Sequence, residues 1–328
     1  MMDFCILGSG ISGSTIANLL SKKYSVEVFD KARGPGGRAS NRRFKSNLSF
    51  DHGLSYITPV SKNFEKFITN LNKKKVLKVW KGQHIDFSFK KKSSTEAKKF
   101  IGKKGNSDIS KYQLKKIKQN YFSKISKIKY KNKIWEITLD DKRKIEFKAL
   151  IITCPYPQLK QIAKKYIDQK LLNLNIKMEP VITLMLAVKS EKIIPISSIK
   201  FNDSVISFAI NENSKKRFNS KLNLWTLHSS IQWAKKNINI YKNNTKTINE
   251  LKYKFMSLTK FKNRQIAYSR IHGWKFSYNL TRSLIKSSWN KKINLGVCGD
   301  WFIGPKAEDA WCSALDLSKR IKKNPLKK

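Results

Sequence analysis

Gly8-Ser9-Gly10-Ile11-Ser12-Gly13 constrains this chain more than any other stretch, because its three glycines fall between two periodic segments. Before them, Asp3–Gly8 is a short apolar run that reads as a strand. After them, Ile11–Lys22 places Ile16, Leu19 and Leu20 at helical spacing, and Val26–Asp30 reads as a second strand. In a βαβ half-unit of this kind each glycine has a task. Gly8 permits the tight turn, Gly10 lets the backbone approach a pyrophosphate, and Gly13 lets the helix pack closely on the strand. The phosphates then sit at the helix N-terminus, where free N–H groups and the helix dipole favour anions. Asp30 lies 17 residues past Gly13, close to the separation of about 20 at which a carboxylate meets a dinucleotide ribose.

The next residues bear on which dinucleotide it is. A simple NAD domain enters a helix here. Instead Lys31-Ala32-Arg33-Gly34-Pro35-Gly36-Gly37-Arg38 forms a glycine-rich loop beside the cofactor end, with Arg33 and Arg38 placed to meet phosphate charge.

Composition excludes several classes. The chain has 328 residues, 40% of them hydrophobic, enough for one large or two interleaved domains. It lacks a run of about 18 apolar residues, so no transmembrane helix is expected. The first apolar stretch, Phe4–Leu7, is short, follows Asp3 and has no basic flank, so no signal peptide and a cytoplasmic location are expected. Cys5, Cys154, Cys298 and Cys312 lack metal-ligand spacing and read as free thiols, with no metal site. The balance of 69 basic and 22 acidic residues, net +47, would attract polyanions. However, only ten of the basic residues are arginine, and the lysines are dispersed in short groups such as Lys73–Lys75 and Lys90–Lys92. A lysine-coated surface fits this better than a specific nucleic-acid face.

Along the chain, 63–92 reads as irregular and basic, and Ser93–Ser110 as a polar loop. Tyr112–Leu139 reads as a helix followed by strands, and Ile134–Leu139 with Lys144–Phe147 as a hairpin. Leu150–Thr153, Val181–Val188, Val205–Ile210, Leu224–His228 and Ile293–Cys298 read as strands, and Thr245–Leu258 and Ala307–Ile321 as helices.

The runs GSGISGSTIANLL, VEVFDKARGPGGRAS and FDHG at Phe50–Gly53 resemble the renalase-type branch of the FAD-dependent amine oxidase superfamily. The resemblance continues through Thr153-Cys154-Pro155 with Gln158, Trp225-Thr226-Leu227-His228 with Trp233, and His272-Gly273-Trp274-Lys275-Phe276-Ser277. It closes with Cys298-Gly299-Asp300-Trp301, then Glu308 and Ser313-Ala314. The resemblance implies non-covalent FAD, with Gly8, Gly10 and Gly13 at the pyrophosphate and Asp30 and Lys31 at the adenosine end. It further implies Gly36, Gly37 and Arg38 along the diphosphate and Asp300 near the ribityl chain. The start of the last helix, Glu308 to Ala310, would lie at the flavin edge. Asp309 stands where the family usually has glycine, and a carboxylate there would crowd the ring or oppose its reduced anion.

The implied reaction is hydride transfer to flavin N5 from a misreduced dihydronicotinamide, with O2 as acceptor and hydrogen peroxide as product. Trp274, His272, Lys275, Tyr278 and His228 are the candidates for the substrate face. The rivals are an amine oxidase or desaturase acting on an amine or apolar substrate, and a basic nucleotide- or nucleic-acid-binding protein without catalysis. Oligomeric state is left open. The expected fold is α/β (α+β overall), a Rossmann-type FAD-binding domain interleaved with a smaller substrate domain on a mixed or antiparallel sheet with helices. The FAD domain takes 1–60, 106–165 and 286–328, and the substrate domain takes 61–105 and 166–285.

Overall fold

A strand buried on both faces must be apolar at every position, and Phe4-Cys5-Ile6-Leu7 is such a strand. In the computed structural model, which describes residues 1–45, 47–87, 93–94 (backbone only), 98–191 and 194–326, it lies inside a parallel sheet. Phe4 and Ile6 pack with Ile16, Leu20, Ala314, Leu317 and Ile321 on one face. Cys5 and Leu7 pack with Phe29, Phe147, Leu150 and Ile152 on the other.

This sheet belongs to the first of two units, Met1–Arg38, Ser107–Met178 and Asn279–Lys328. Its parallel strands run in the order Lys118–Asn120, Val26–Phe29, Met2–Leu7, Lys144–Ile152 and Leu295–Val297. The Lys144–Ile152 strand changes partner along its length. Its first half pairs antiparallel with Ile134–Leu139, and its second half pairs parallel with Leu295–Val297. The first helix (Ile11–Leu20) and the last (Ala307–Lys323) cover one face.

The second unit comprises Ala39–Asn106 and Glu179–Tyr278. Its seven-stranded sheet runs Ile266–Asn279, Met178–Lys189, Leu222–Ser229, Ile206–Asn211, Ile196–Lys200, Gln83–Asp86 and Ser93–Ser94. Most pairings are antiparallel, and Ile196–Lys200 with Gln83–Asp86 is parallel, so the sheet is mixed. Leu251 and Phe255 of the helix Thr245–Thr259 seal its apolar face against Leu184, Leu186, Trp225 and Leu227.

Two sequence expectations are corrected. Lys62–Lys73, read as irregular, is a helix capped by Ser61, whose side chain accepts from Phe64 N; it buries Phe64, Ile68 and Leu71. The stretch read as a loop from Ser93 contains the strand Phe100–Gly102 and the start of the helix Asp108–Leu114. That helix escapes an apolar pattern because its buried Ser110 and Gln113 bond Ser14 and Thr15 of the first helix. Lys90–Lys92 and residues 95–97 lie outside the described residues. Among the described residues no helix is long and apolar enough to cross a membrane, and no cluster could hold a metal.

Candidate functional site

The glycines of the first unit divide by what surrounds them. Gly8 has φ +104°, a conformation that L side chains rarely adopt, and a Cβ there would lie 2.6 Å from Thr153 Oγ1. At Gly13 a Cβ would lie 1.9 Å from the Gly8 carbonyl oxygen, so the helix reaches the strand only because the side chain is missing. Gly10 differs. A Cβ there would meet nothing nearer than 3.9 Å, so the chain's own packing makes no demand for glycine. Gly10 is also the N-cap of the first helix, which has no side-chain cap and no acid in its first turn. An open glycine over uncapped amides is a cradle for an anion brought close to the backbone.

The second glycine segment meets the first at this point. Gly36 N donates to Ser9 O at 3.0 Å, and a Cβ on Gly37, where φ is +52°, would lie 3.2 Å from Gly10 Cα. Asp30 closes the cradle on the strand side. Its Oδ2 accepts from Ser9 N at 2.8 Å and Ser9 Oγ at 2.6 Å, and Oδ1 accepts from Ala32 N at 2.8 Å. Lys31 and Arg33 are exposed. Arg38 is paired with Asp300, whose side chain is 7% exposed.

The last helix is tied to the first through Ser12 Oγ, which donates to Ala310 O at 2.9 Å. Glu308 and Ala310 are buried. Asp309, unlike glycine, caps its own helix: Oδ2 accepts from Lys306 N at 2.8 Å. Burial raises the Asp309 carboxyl, with Asp300 and Glu308 pushing the same way against the Lys306 amide and charge. This helix start therefore carries a carboxylate of its own over its dipole.

In the second unit, His272 and Trp274 stand together with a residue that the sequence reading passed over, His52. The ring centroids of His272 and Trp274 are 4.3 Å apart, and each lies about 5 Å from that of His52. Trp274 Nε1 donates to His52 O at 2.8 Å. His52 is buried with Nδ1 lacking a protein partner, and burial with the His272 and Arg42 charges brings it down to about 3. Burial likewise brings His272 to about 4. Lys275 and Tyr278 are exposed. His228 is enclosed, its Nδ1 3.0 Å from Thr183 Oγ1 and its Nε2 3.2 Å from Ser55 Oγ, so both ring nitrogens are satisfied inside the core.

Beneath the FDHG turn lies a buried charge network that sequence reasoning missed. Asp51 Oδ2 accepts from Lys215 Nζ at 2.7 Å and from Arg217, and Asp51 Oδ1 accepts from Asn106 N at 3.1 Å. Glu212 lies 2.9 Å from Lys215 Nζ, and all three charged side chains besides Arg217 are fully buried. Burial alone would raise the Asp51 carboxyl, but Arg217 and Lys215 hold it down at about 2. The two carboxylates and two cations balance, and the network pins Phe50–Gly53 to the 212–217 turn.

Comparison with known proteins follows the same lines. Residues 6–71 match the NAD(P)-binding Rossmann-like domain family. Renalase of Mus musculus is 27% identical over 180 residues, covering 49% of this chain and 49% of renalase. The chain spans about half the length of the curated relatives it matches. Cyclohexylamine oxidase from Brevibacterium oxydans IH-35A aligns over 98% of this chain and 99% of its own, with a TM-score of 0.71 at 11% identity. A candidate protoporphyrinogen oxidase from Exiguobacterium sp. 255-15 aligns over 98% and 99%, with a TM-score of 0.73 at 8% identity. The chain therefore shares the fold of cyclohexylamine oxidase and of the candidate protoporphyrinogen oxidase, matches the NAD(P)-binding Rossmann-like domain family over residues 6–71, and is similar in sequence to renalase over about half its length.

Proposed function

We propose that this chain is an FAD-dependent oxidoreductase of renalase type. The observation that carries the reading is the meeting of two glycine segments at an uncapped helix N-terminus, where Gly10 is glycine without a steric need for it. When bound, FAD supplies the acceptor for a hydride from a dihydronicotinamide-type donor, with oxygen restoring the oxidised flavin and hydrogen peroxide leaving.

The chain's own residues have the following tasks in this reading. The amides after Gly10 hold the pyrophosphate, and Gly36 and Gly37 keep the facing loop low enough to admit it. Asp30 takes the ribose hydroxyls in exchange for Ser9. Arg38, already oriented by Asp300, offers its guanidinium to the diphosphate. His272 and Trp274, with His52 behind them, give a neutral aromatic surface for a planar substrate ring, since burial keeps both imidazoles uncharged at neutral pH. FAD is held without a covalent bond in this reading. Cys298 lies fully buried in the apolar core with Ile151 and Leu317, away from any role as an attachment thiol.

The test is an absorbance spectrum of the purified protein, followed by anaerobic addition of dihydronicotinamide isomers. Yellow protein bleached faster by a misreduced isomer than by ordinary NADH is the expected result. Protein that neither carries nor takes up FAD would sink the proposal. An amine substrate is the second reading, supported by the likeness to cyclohexylamine oxidase. Bleaching by amines and by no nicotinamide would select it.

A further inference from the structure

The first unit carries one aromatic residue whose place the fold does not explain. Its strands Val26–Phe29 and Lys118–Asn120 pair in parallel, with Phe29 opposite Asn120, so both leave the sheet at the same carboxyl edge. In doubly wound sheets the crevice beyond that edge is where ligands bind. Asp30 follows the first strand there, and Tyr121-Phe122-Ser123 follows the second. The two exits are stitched together. Asp30 N donates to Asn120 O at 2.9 Å, Ser123 N to Asp30 O at 2.9 Å, and Phe122 N to Ala32 O at 3.0 Å. The backbone of Phe122 is thus fixed against Asp30–Ala32, the adenosine end of the cradle.

Phe122 has φ +54°, in the left-handed region. Among the described residues nine non-glycine positions have positive φ; six are lysine, two are asparagine, and Phe122 is the ninth. Asparagine settles in this region through local hydrogen bonds, whereas a bulky ring there is an outlier. The neighbours leave the turn no room to relax. Tyr121 is partly buried and its hydroxyl donates to Gln119 Oε1, while Gln119 Nε2 donates to Leu114 O at 2.9 Å and Ile117 O at 3.1 Å. Burial and the Asp30 charge hold the Tyr121 phenol up at about 12, so it stays a neutral donor. Ser123 is buried, with Oγ donating to Tyr121 O at 3.0 Å. Between these two residues Phe122 is 74% exposed. A ring left in water on a backbone that disfavours it contributes little to the fold, and strain of this kind gathers where a ligand is clamped.

We propose that Phe122 is the stacking platform for the adenine ring of the bound dinucleotide. Every base has a π-face, so such a platform needs no hydrogen-bond pattern, only a planar side chain held in place. With Asp30 on the ribose, Phe122 gives the next group along the ligand a contact of its own. The inference rests on the FAD reading only for which dinucleotide brings the base, since FAD and NAD(P)H share this half.

The full-length protein, freed of flavin, is titrated by calorimetry with ADP, FAD and NADH in turn at constant ionic strength. Inorganic pyrophosphate serves as the ligand without a base. Phe122→Asn puts in place a residue that the chain already uses at positive φ, at Asn132 and Asn294, and Phe122→Tyr keeps the ring. Phe122→Asn should weaken ADP and FAD by about fivefold to a hundredfold. It should leave pyrophosphate unchanged and hold the urea midpoint at or above that of the parent. Phe122→Tyr should bind both nucleotides like the parent. Equal ADP affinity in Phe122→Asn and the parent overturns the inference. So does an equal loss for pyrophosphate, or a lower urea midpoint, because either would make the ring a part of the fold. A parent that binds ADP and NADH but not FAD, with ADP weakened in Phe122→Asn, refutes the flavin reading and keeps the platform. FAD bound equally by parent and Phe122→Asn keeps the flavin and removes the platform. A parent that binds no adenine nucleotide refutes both.

Discussion

Gly10→Ala separates the cofactor's demands from those of the fold. Gly10 has φ −67° and ψ −174°, extended backbone open to any residue. An alanine Cβ would stand 3.9 Å from Gly36 O and Gly37 Cα, ordinary van der Waals contact. Alanine is a poorer N-cap than glycine by up to about 1 kcal/mol, but it also restricts the unfolded chain, a gain of about 0.4–1 kcal/mol, so the two effects nearly cancel. The apoprotein should therefore stay within about 1 kcal/mol of the parent. Flavin binding should not survive so well. The added methyl occupies the face across which a pyrophosphate reaches the helix amides, and losing two hydrogen bonds to a charged group costs about 1.5–3 kcal/mol each. FAD affinity should fall about a hundredfold to ten-thousandfold. Gly13→Ala provides the contrast. Its Cβ would sit 1.9 Å from the Gly8 carbonyl oxygen, backbone against backbone, and the fold itself should lose about 3 kcal/mol or more. Urea unfolding of the apoproteins by circular dichroism gives the first quantity, and quenching of FAD fluorescence gives the second. Gly10→Ala protein that folds and binds FAD like the parent would refute the reasoning, as would equal destabilisation by the two substitutions.

The remaining expectations concern stability and reactivity. Asp51→Asn leaves Lys215 and Arg217 facing Glu212 alone in a buried site, so urea unfolding should show a loss of about 3–5 kcal/mol, and a loss under about 1 kcal/mol would mean the network is idle. His52 and His228 are buried, and burial brings them to about 3 and about 4 from 6.5. Below pH 6.5 the unfolded chain takes up protons that these residues refuse, so stability should fall as pH drops towards 4, by roughly 1.4 kcal/mol per histidine per pH unit. A flat or rising stability across that window, measured by urea unfolding at successive pH values, would contradict the burial argument. Burial also raises the thiols of Cys5, Cys154 and Cys298, that of Cys154 to about 12. Ellman's reagent should label the fully buried Cys5 and Cys298 far more slowly in native protein than in urea, and prompt native labelling would show that they are accessible.

How far the fold can be read from the sequence depends on which residues carry the pattern. Strands covered on both faces announce themselves, as Phe4–Leu7 and Val181–Val188 do, because no polar residue is tolerated in them. Gly8 and Gly13 are equally legible, since their steric tasks are local. The helix Lys62–Lys73 was readable in principle through Phe64, Ile68 and Leu71, but the lysines and asparagines around those three residues hid the period. The helix Asp108–Leu114 carried no such signal, because half of what it buries is hydroxyl and amide. Asp51 was visible within FDHG, whereas its partners Lys215 and Arg217 sit in a Lys-Lys-Arg run indistinguishable from many solvated ones. For His228, the hydroxyls that satisfy it come from Ser55 and Thr183, distant positions that no spacing rule connects.

The strand Lys144–Ile152 also sets a timetable for the chain's birth. As synthesis proceeds, Met2–Leu7 can pair early with Val26–Phe29 on one edge, but its other edge waits for a parallel neighbour until the middle of the chain has emerged. The newly made strand can pair at once with its hairpin partner, Ile134–Leu139, through its first half only. Its second half stays an open edge until Leu295–Val297 appears, later by on the order of ten seconds at ordinary elongation rates. During that interval Leu150, Ile151 and Ile152, all fully buried at the end, lie beside an unfilled sheet position. The nascent protein is thus most exposed to mispairing late in translation, and a chaperone that shields it would act on the Leu150–Ile152 edge.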